Sequence, residues 1–184
     1  KRRLSERNHR PLRRWRINRH AARGGFFIRH PVEGELLEAL DEGRLEIGEG
    51  TLLEPGCWVT LAPEARIEIG AGCSIQDNAV VHCADDLPTV IGTDVVVGHG
   101  AMLEGCAVDD HALIGMGSIS LQHAHVGAGA MIAAGTVVPE RGEIRAGVLA
   151  AGVPARVLKK ELSGSALAWT ESAAAHYQEL REHY

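Results

Sequence analysis

The stretch Val108–Ala150 reads VDDHALIGMGSISLQHAHVGAGAMIAAGTVVPERGEIRAGVLA, and counting along it in sixes decides the fold. Val108, Ile114, Ser120, Val126, Ile132, Val138, Ile144 and Ala150 fall six residues apart. A small or polar residue often follows the aliphatic one, as in Ile114-Gly115 and Val126-Gly127. An amphipathic helix repeats about every 3.6 residues and a half-buried strand about every two, so neither accounts for this spacing. Three short strands per coil, joined at corners where small residues allow tight backbone, do account for it.

Outward from this stretch the columns continue through Ile91, Val97 and Leu103, through Ile69, Ile75 and Val81, and into a less regular first coil with Ile47, Leu53 and Val59. The step from Val81 to Ile91 is ten residues instead of six, so an excursion of four lies within Ala84–Pro88. Composition agrees with a narrow interior. Between Pro31 and Lys160 the only aromatic residue is Trp58, while 19 of the 22 glycines fall there. A core that excludes rings is filled by Ile, Val, Leu and Ala instead. The predicted fold class is all-β with a terminal helix: a left-handed parallel β-helix from about Leu45 to Ala155, within a domain spanning residues 31–160. A short helix over Glu35–Glu42, with Leu36, Leu37 and Leu40 on one face, caps the first coil. Residues 161–184 are read as a C-terminal amphipathic helix packed on the β-helix, its stripe formed by Trp169, Ala173, Tyr177, Leu180 and Tyr184.

At 184 residues the chain is long enough for one domain with a substantial core, and it holds no unbroken apolar run of membrane-spanning length. Its charge is divided. Residues 1–30 carry 11 of the 19 Lys and Arg against one acid, Glu6, and the remainder is strongly acidic. The basic segment is expected to be a solvated, disordered tail, ahead of a nucleic-acid arm or an Arg-rich organelle presequence. Cys57, Cys73, Cys83 and Cys106 form no CxxC pair, which fits buried, reduced thiols in a cytoplasmic protein.

The repeat turns spacing into geometry. His82 follows Val81 by one and Glu104 follows Leu103 by one, so the two are expected one rung apart on one prism face. A strand spacing of about 4.8 Å lets two such side chains share an ion. Asp77 and His99 each lie two beyond a column residue, which places them one rung apart on a different face. His99 could meet the His82/Glu104 ladder only on a neighbouring prism. Two His and one carboxylate is a known catalytic zinc set with an open fourth position. On spacing alone, an equal reading is that these are polar residues on the outside of a solenoid.

The runs Ser74–His82 (SIQDNAVVH), Val97–Cys106 (VGHGAMLEGC) and Ile114–Ser118 (IGMGS), with Ile91-Gly92 and Ala151–Arg156 (AGVPAR), resemble the gamma-class carbonic anhydrase family over about residues 45–184. The resemblance implies a homotrimer with zinc, or another divalent ion such as iron or cobalt, at each subunit interface, and hydration of CO2 to bicarbonate there. His82 matches the family's first metal ligand and His99, from a neighbouring subunit, the second. Gln76 matches the Gln that contacts metal-bound water, and Asp77 its neighbouring acid. The third ligand is a His in the family and Glu104 here; the interface Arg–Asp pair falls on Leu61-Ala62-Pro63. Asp85 or Asp86, just after His82, is the candidate proton shuttle, and a solvated loop is the reading favoured for these acids. Two alternatives stand beside this reading. A hexapeptide acyltransferase would use acyl-CoA with His99 or His123 as base, and a trimeric scaffold would have no reaction. His111, His125 and His176 read as surface residues.

Overall fold

At one corner of the prism the chain turns through left-handed backbone at Asn78 (φ 58), Gly100 (φ 66), Gly117 (φ 63) and Gly135 (φ 70). There Gly100 donates its amide to the carbonyl of Asp77, Gly117 to that of His99 and Gly135 to that of Met116, each one coil below. Such a corner favours glycine because a Cβ strains positive φ, and Asn is among the side chains that tolerate it best. The computed structural model describes residues 27–28, 34–83, 87–159 and 161–181. Most of the basic tail, together with Asp85, Asp86 and Tyr184, lies outside the described residues.

Between corners the chain forms short strands stacked into three sheets, parallel throughout except where Arg156–Lys159 pairs antiparallel with Leu149–Ala151 at one end of the eight-stranded sheet. Val96–Val97 pairs with Ser74–Ile75 below and Leu113–Ile114 above in the eight-stranded sheet. Trp58–Leu61, Val80–Cys83, Met102–Glu104, Ile119–Ser120 and Val137–Val138 make the five-stranded sheet in that order. The six-stranded sheet runs from Leu45–Ile47 to Glu143–Ile144. The expected columns are the observed ones: Ile75 stands against Val97, Val97 against Ile114, and Ile114 against Ile132. Partners are 22 residues apart in the early coils, as in Val80 and Met102, and 18 apart in the late ones, as in Ile119 and Val137. The 22-residue coil from Val80 to Met102 matches the excursion inferred after Val81, while the coils Leu45 to Ile67 and Trp58 to Val80 have the same length without it. Between them one coil is a residue short, so that Met102 pairs with Ile119.

Alternation across each strand sends one residue in and the next out. Ile75, Val81, Val97, Ile114, Val126 and Ile132 are all fully buried, and a buried aliphatic side chain of this size contributes about 1.5–3 kcal/mol. The outward residues of the five-stranded sheet are unusual for a solvent face. Trp58 is 61% exposed and Met102 47%, with Val80, Ile119 and Val137 half-buried between and above them.

Helix α1 (Gly34–Glu42) caps the first coil, with Ala39 buried and Leu36 and Leu40 packed on the core. Helix α2 (Gly164–Arg181) lies on the eight-stranded sheet, where Ala173, Ala174 and Tyr177 meet Val96 and Leu113 and Gln178 donates to the Gly72 carbonyl (2.9 Å). Here the expected stripe needs correction. Trp169 is 41% exposed and stacks beside His176 and Tyr177 on the outside, while Thr170, Ala173 and Ala174 take the buried side. Two alanines let the helix seat closely on a flat ledge, where an inward indole would hold it off.

All four cysteines are buried and none is in a disulfide. Burial pushes the Cys57 and Cys106 thiols up to about 12 and Cys73 to about 11, so they behave as core and not as nucleophiles. No helix among the described residues is long and apolar enough to cross a membrane.

Candidate functional site

His82 ends its strand outward on the five-stranded sheet, and Glu104 is its direct register partner on the next coil. Thr60 is the partner one coil below. His82 Nδ1 lies 3.1 Å from the Thr60 carbonyl oxygen and 2.8 Å from Thr60 Oγ1. With the carbonyl as its acceptor, Nδ1 carries the proton and Nε2 keeps its lone pair for a ligand; the hydroxyl, able to donate as well as accept, suits either tautomer. Glu104 is held from the other side, one carboxylate oxygen accepting a hydrogen bond from Gln122 Nε2 (2.7 Å).

Thr89 stitches these two backbones together. Its buried hydroxyl donates to the His82 carbonyl (2.5 Å) and accepts from the Gly105 amide (2.8 Å). Gly105 sits at the shortened corner with φ 55; a Cβ there would come 2.4 Å from Leu87. The tight corner brings Glu104 onto the face where His82 stands.

The second group occupies the neighbouring corner. His99 Nδ1 is 3.1 Å from Asp77 Oδ2, so the carboxylate stands on the Nδ1 side of the ring. Gln76 is buried beneath it; its Oε1 accepts from the His99 amide (3.2 Å), while Nε2 has no hydrogen-bond partner. Met116, 57% exposed, stands beside this corner on the next coil. Among the described residues no three His, Cys, Asp or Glu side chains cluster closely enough to hold one ion. The fold thus brings His82 to Glu104 and Asp77 to His99, but does not bring the two pairs together within one chain. Asp85 lies outside the described residues.

These donors fit a divalent ion on chemical grounds. Two imidazoles each have one nitrogen beside a polar partner, and one carboxylate is steadied by an amide. Thr60, Thr89 and Gln122 were not singled out by sequence reasoning. Thr60 and Gln122 stand one coil period away, 22 residues before His82 and 18 after Glu104.

Other histidines are placed differently. His123 turns a corner at φ 59, its amide donating to the Gly105 carbonyl (2.7 Å). His111 is exposed, 3.7 Å from Asp94. On the six-stranded sheet His125 lies between Asp109 (2.9 Å) and Glu143 (3.1 Å); the Asp109 hydrogen bond, with Glu143 adding to it, raises its pKa above the ordinary imidazole value. An open groove of about 710 Å³ follows Gly48, Gly70 and Gly92, rimmed by Glu46, Glu68 and Asp110. Leu61 and Ala62, where the family's interface charges would fall, pack against the core.

No family model matches the chain. Among curated proteins it is 36% identical over 146 residues to gamma carbonic anhydrase 2, mitochondrial, of Arabidopsis thaliana; the match covers 76% of this chain and 52% of that protein, so the chain spans about half the length of this relative. A probable carbonic anhydrase of Methanocaldococcus jannaschii is 38% identical over 109 residues, covering 59% of this chain and 68% of the relative. Among solved structures, a hexapeptide transferase family protein from Anaplasma phagocytophilum superposes with a TM-score of 0.71 at 33% identity, over 76% of this chain and 81% of that one. With a parallel β-helix built on the hexapeptide period and these relatives, the chain belongs to the hexapeptide-repeat family that includes the gamma-class carbonic anhydrases.

Proposed function

We propose that the chain is a carbonic anhydrase-like protein that hydrates CO2 at a divalent metal shared between subunits of a homotrimer. His82 and Glu104 of one subunit and His99 of the partner subunit would hold the ion, zinc first, with iron or cobalt as substitutes. When bound, such an ion acts as a Lewis acid that makes a water molecule acidic enough to attack at neutral pH. The chain's own residues supply the rest. Thr60 and Asp77 keep the two imidazoles in the ligating tautomer, Gln76 Nε2 donates to an oxygen of CO2 or bicarbonate, and Asp85 passes the proton to solvent. The apolar outward face with Trp58, Val80 and Met102 supports a subunit interface beside the His82 ladder. The four buried thiols, none in a disulfide, support a reducing compartment such as the cytoplasm.

The observation that carries this reading is the register pairing of His82 with Glu104, with anchored partners on both sides. The test is CO2 hydration by stopped-flow pH indicator on protein reloaded with zinc, iron(II) or cobalt(II), compared with Glu104→Ala. Activity that appears with metal and is lost in the variant supports the reading; a metal-loaded protein without activity removes it.

Acyl transfer is the second reading, favoured by the likeness to the hexapeptide transferase family protein. Against it, the groove along Gly48, Gly70 and Gly92 has no histidine in its lining to serve as the base of an acyl transfer. Acetyl-CoA titration by calorimetry separates the two, and a trimer that binds neither metal nor acetyl-CoA would be the scaffold.

A further inference from the structure

Glu104 occupies a ligand position with a side chain that is longer and more freely rotating than an imidazole. A carboxylate there must be held if it is to face His82, since its outer torsion is broad. Among the described residues one polar clamp holds it, at 2.7 Å from Gln122 Nε2 on the next coil to Glu104 Oε1. The clamp is itself fixed. The methylene stem of Gln122 passes over the corner at Gly105, where a Cβ would lie 3.5 Å from Gln122 Cγ and 2.4 Å from Leu87. The backbone leads in from Leu121, whose amide bonds to Val138, and leaves through His123, whose amide bonds to Gly105. One oxygen is thus engaged by a neutral donor and the other is left for a ligand.

We infer that Gln122 is the positioning residue that makes Glu104 competent as the carboxylate ligand of the shared metal. This inference rests on the metal-site reading above. A neutral amide suits the task because it donates without adding charge. A Lys or Arg here would compete with the ion for the carboxylate, and an acid would repel it.

The experiment uses the full-length trimer, stripped with a chelator, and measures zinc and cobalt(II) affinity by competition with a chromophoric chelator. Four proteins are compared: the natural chain, Gln122→Met, Glu104→Ala and the double variant. Methionine keeps the stem that packs over Gly105 and removes the donor. Loss of a partner to a ligand typically weakens metal binding about 10–100-fold, and that is the expected effect of Gln122→Met, with a changed cobalt(II) visible spectrum. In the Glu104→Ala background the same substitution should change nothing, because its effect passes through the carboxylate. Unaltered affinity in Gln122→Met overturns the inference alone, as does an equal loss with and without Glu104. A natural chain that binds neither ion removes the metal-site reading and this inference with it.

Discussion

Gln76 is buried directly beneath His99 and accepts the His99 amide hydrogen through Oε1, leaving its Nε2 without a partner. A buried amide N–H costs about 1–3 kcal/mol when unpaired; the buried hydroxyls of Ser74, Ser120 and Thr136 are also without partners, and what distinguishes Gln76 is its place against His99. In the proposed account its partner is an oxygen of the substrate. Replacing Gln76 with Leu should lower CO2 hydration by about 10-fold or more at unchanged metal content, together with a lower thermal midpoint because the His99 amide loses its acceptor. Unchanged hydration in a folded, metal-loaded Gln76→Leu protein would assign Gln76 to the scaffold.

Thr89 joins the backbones of His82 and Gly105 through a single buried hydroxyl. Thr89→Val keeps the shape and deletes both hydrogen bonds. The expected loss is about 2 kcal/mol of unfolding free energy in a denaturant titration, with weakened metal binding, and Thr89→Ser should recover most of it.

Two glycines separate two reasons for glycine. At Gly70 a Cβ would lie 2.5 Å from backbone atoms of Gly92 in the next coil, and neither can yield. At Gly100, with φ 66, nothing lies within 4 Å and only the left-handed backbone resists a side chain. Gly70→Ala should cost about 3 kcal/mol and Gly100→Ala about 1 kcal/mol, read from thermal unfolding. Equal costs would mean that the coils are not packed at this distance.

His125, between Asp109 and Glu143, has a pKa raised above its ordinary 6.5, chiefly by the Asp109 hydrogen bond. A group whose pKa is higher folded than unfolded stabilises fully below the unfolded value, and that contribution fades as pH rises through the folded value. The site is well exposed, so the effect is below about 1 kcal/mol. His125→Gln should lose stability relative to the natural chain at about pH 6 and match it by about pH 8.5; a constant difference would contradict the assignment.

Much of this was legible in the sequence because the interior of the prism leaves little choice. A column such as Ile75, Val97, Ile114 and Ile132 has room for aliphatics only, and its period fixes register, so the His82–Glu104 and Asp77–His99 pairs follow from counting. What counting does not give is rotamers. The bonds from Thr60 to His82 and from Gln122 to Glu104 depend on side chains bridging coils of 22 and 17 or 18 residues, and the lengths change at this site. Trp169 was misplaced for a related reason: helical spacing marks a face but not the depth of the surface it meets, and alanines fit the ledge at Val96.

The central claim is that one metal is held by residues of two subunits, and subunit mixing tests it most directly. His82→Ala and His99→Ala are purified separately, each expected to be trimeric and metal-free, then unfolded together, refolded with zinc and assayed for metal by elemental mass spectrometry. Every mixed trimer contains one interface with an intact His82 and an intact His99, so random mixing should restore roughly one quarter of the natural metal content. Metal retained by either variant alone, or none recovered in the mixture of well-formed trimers, would contradict the account.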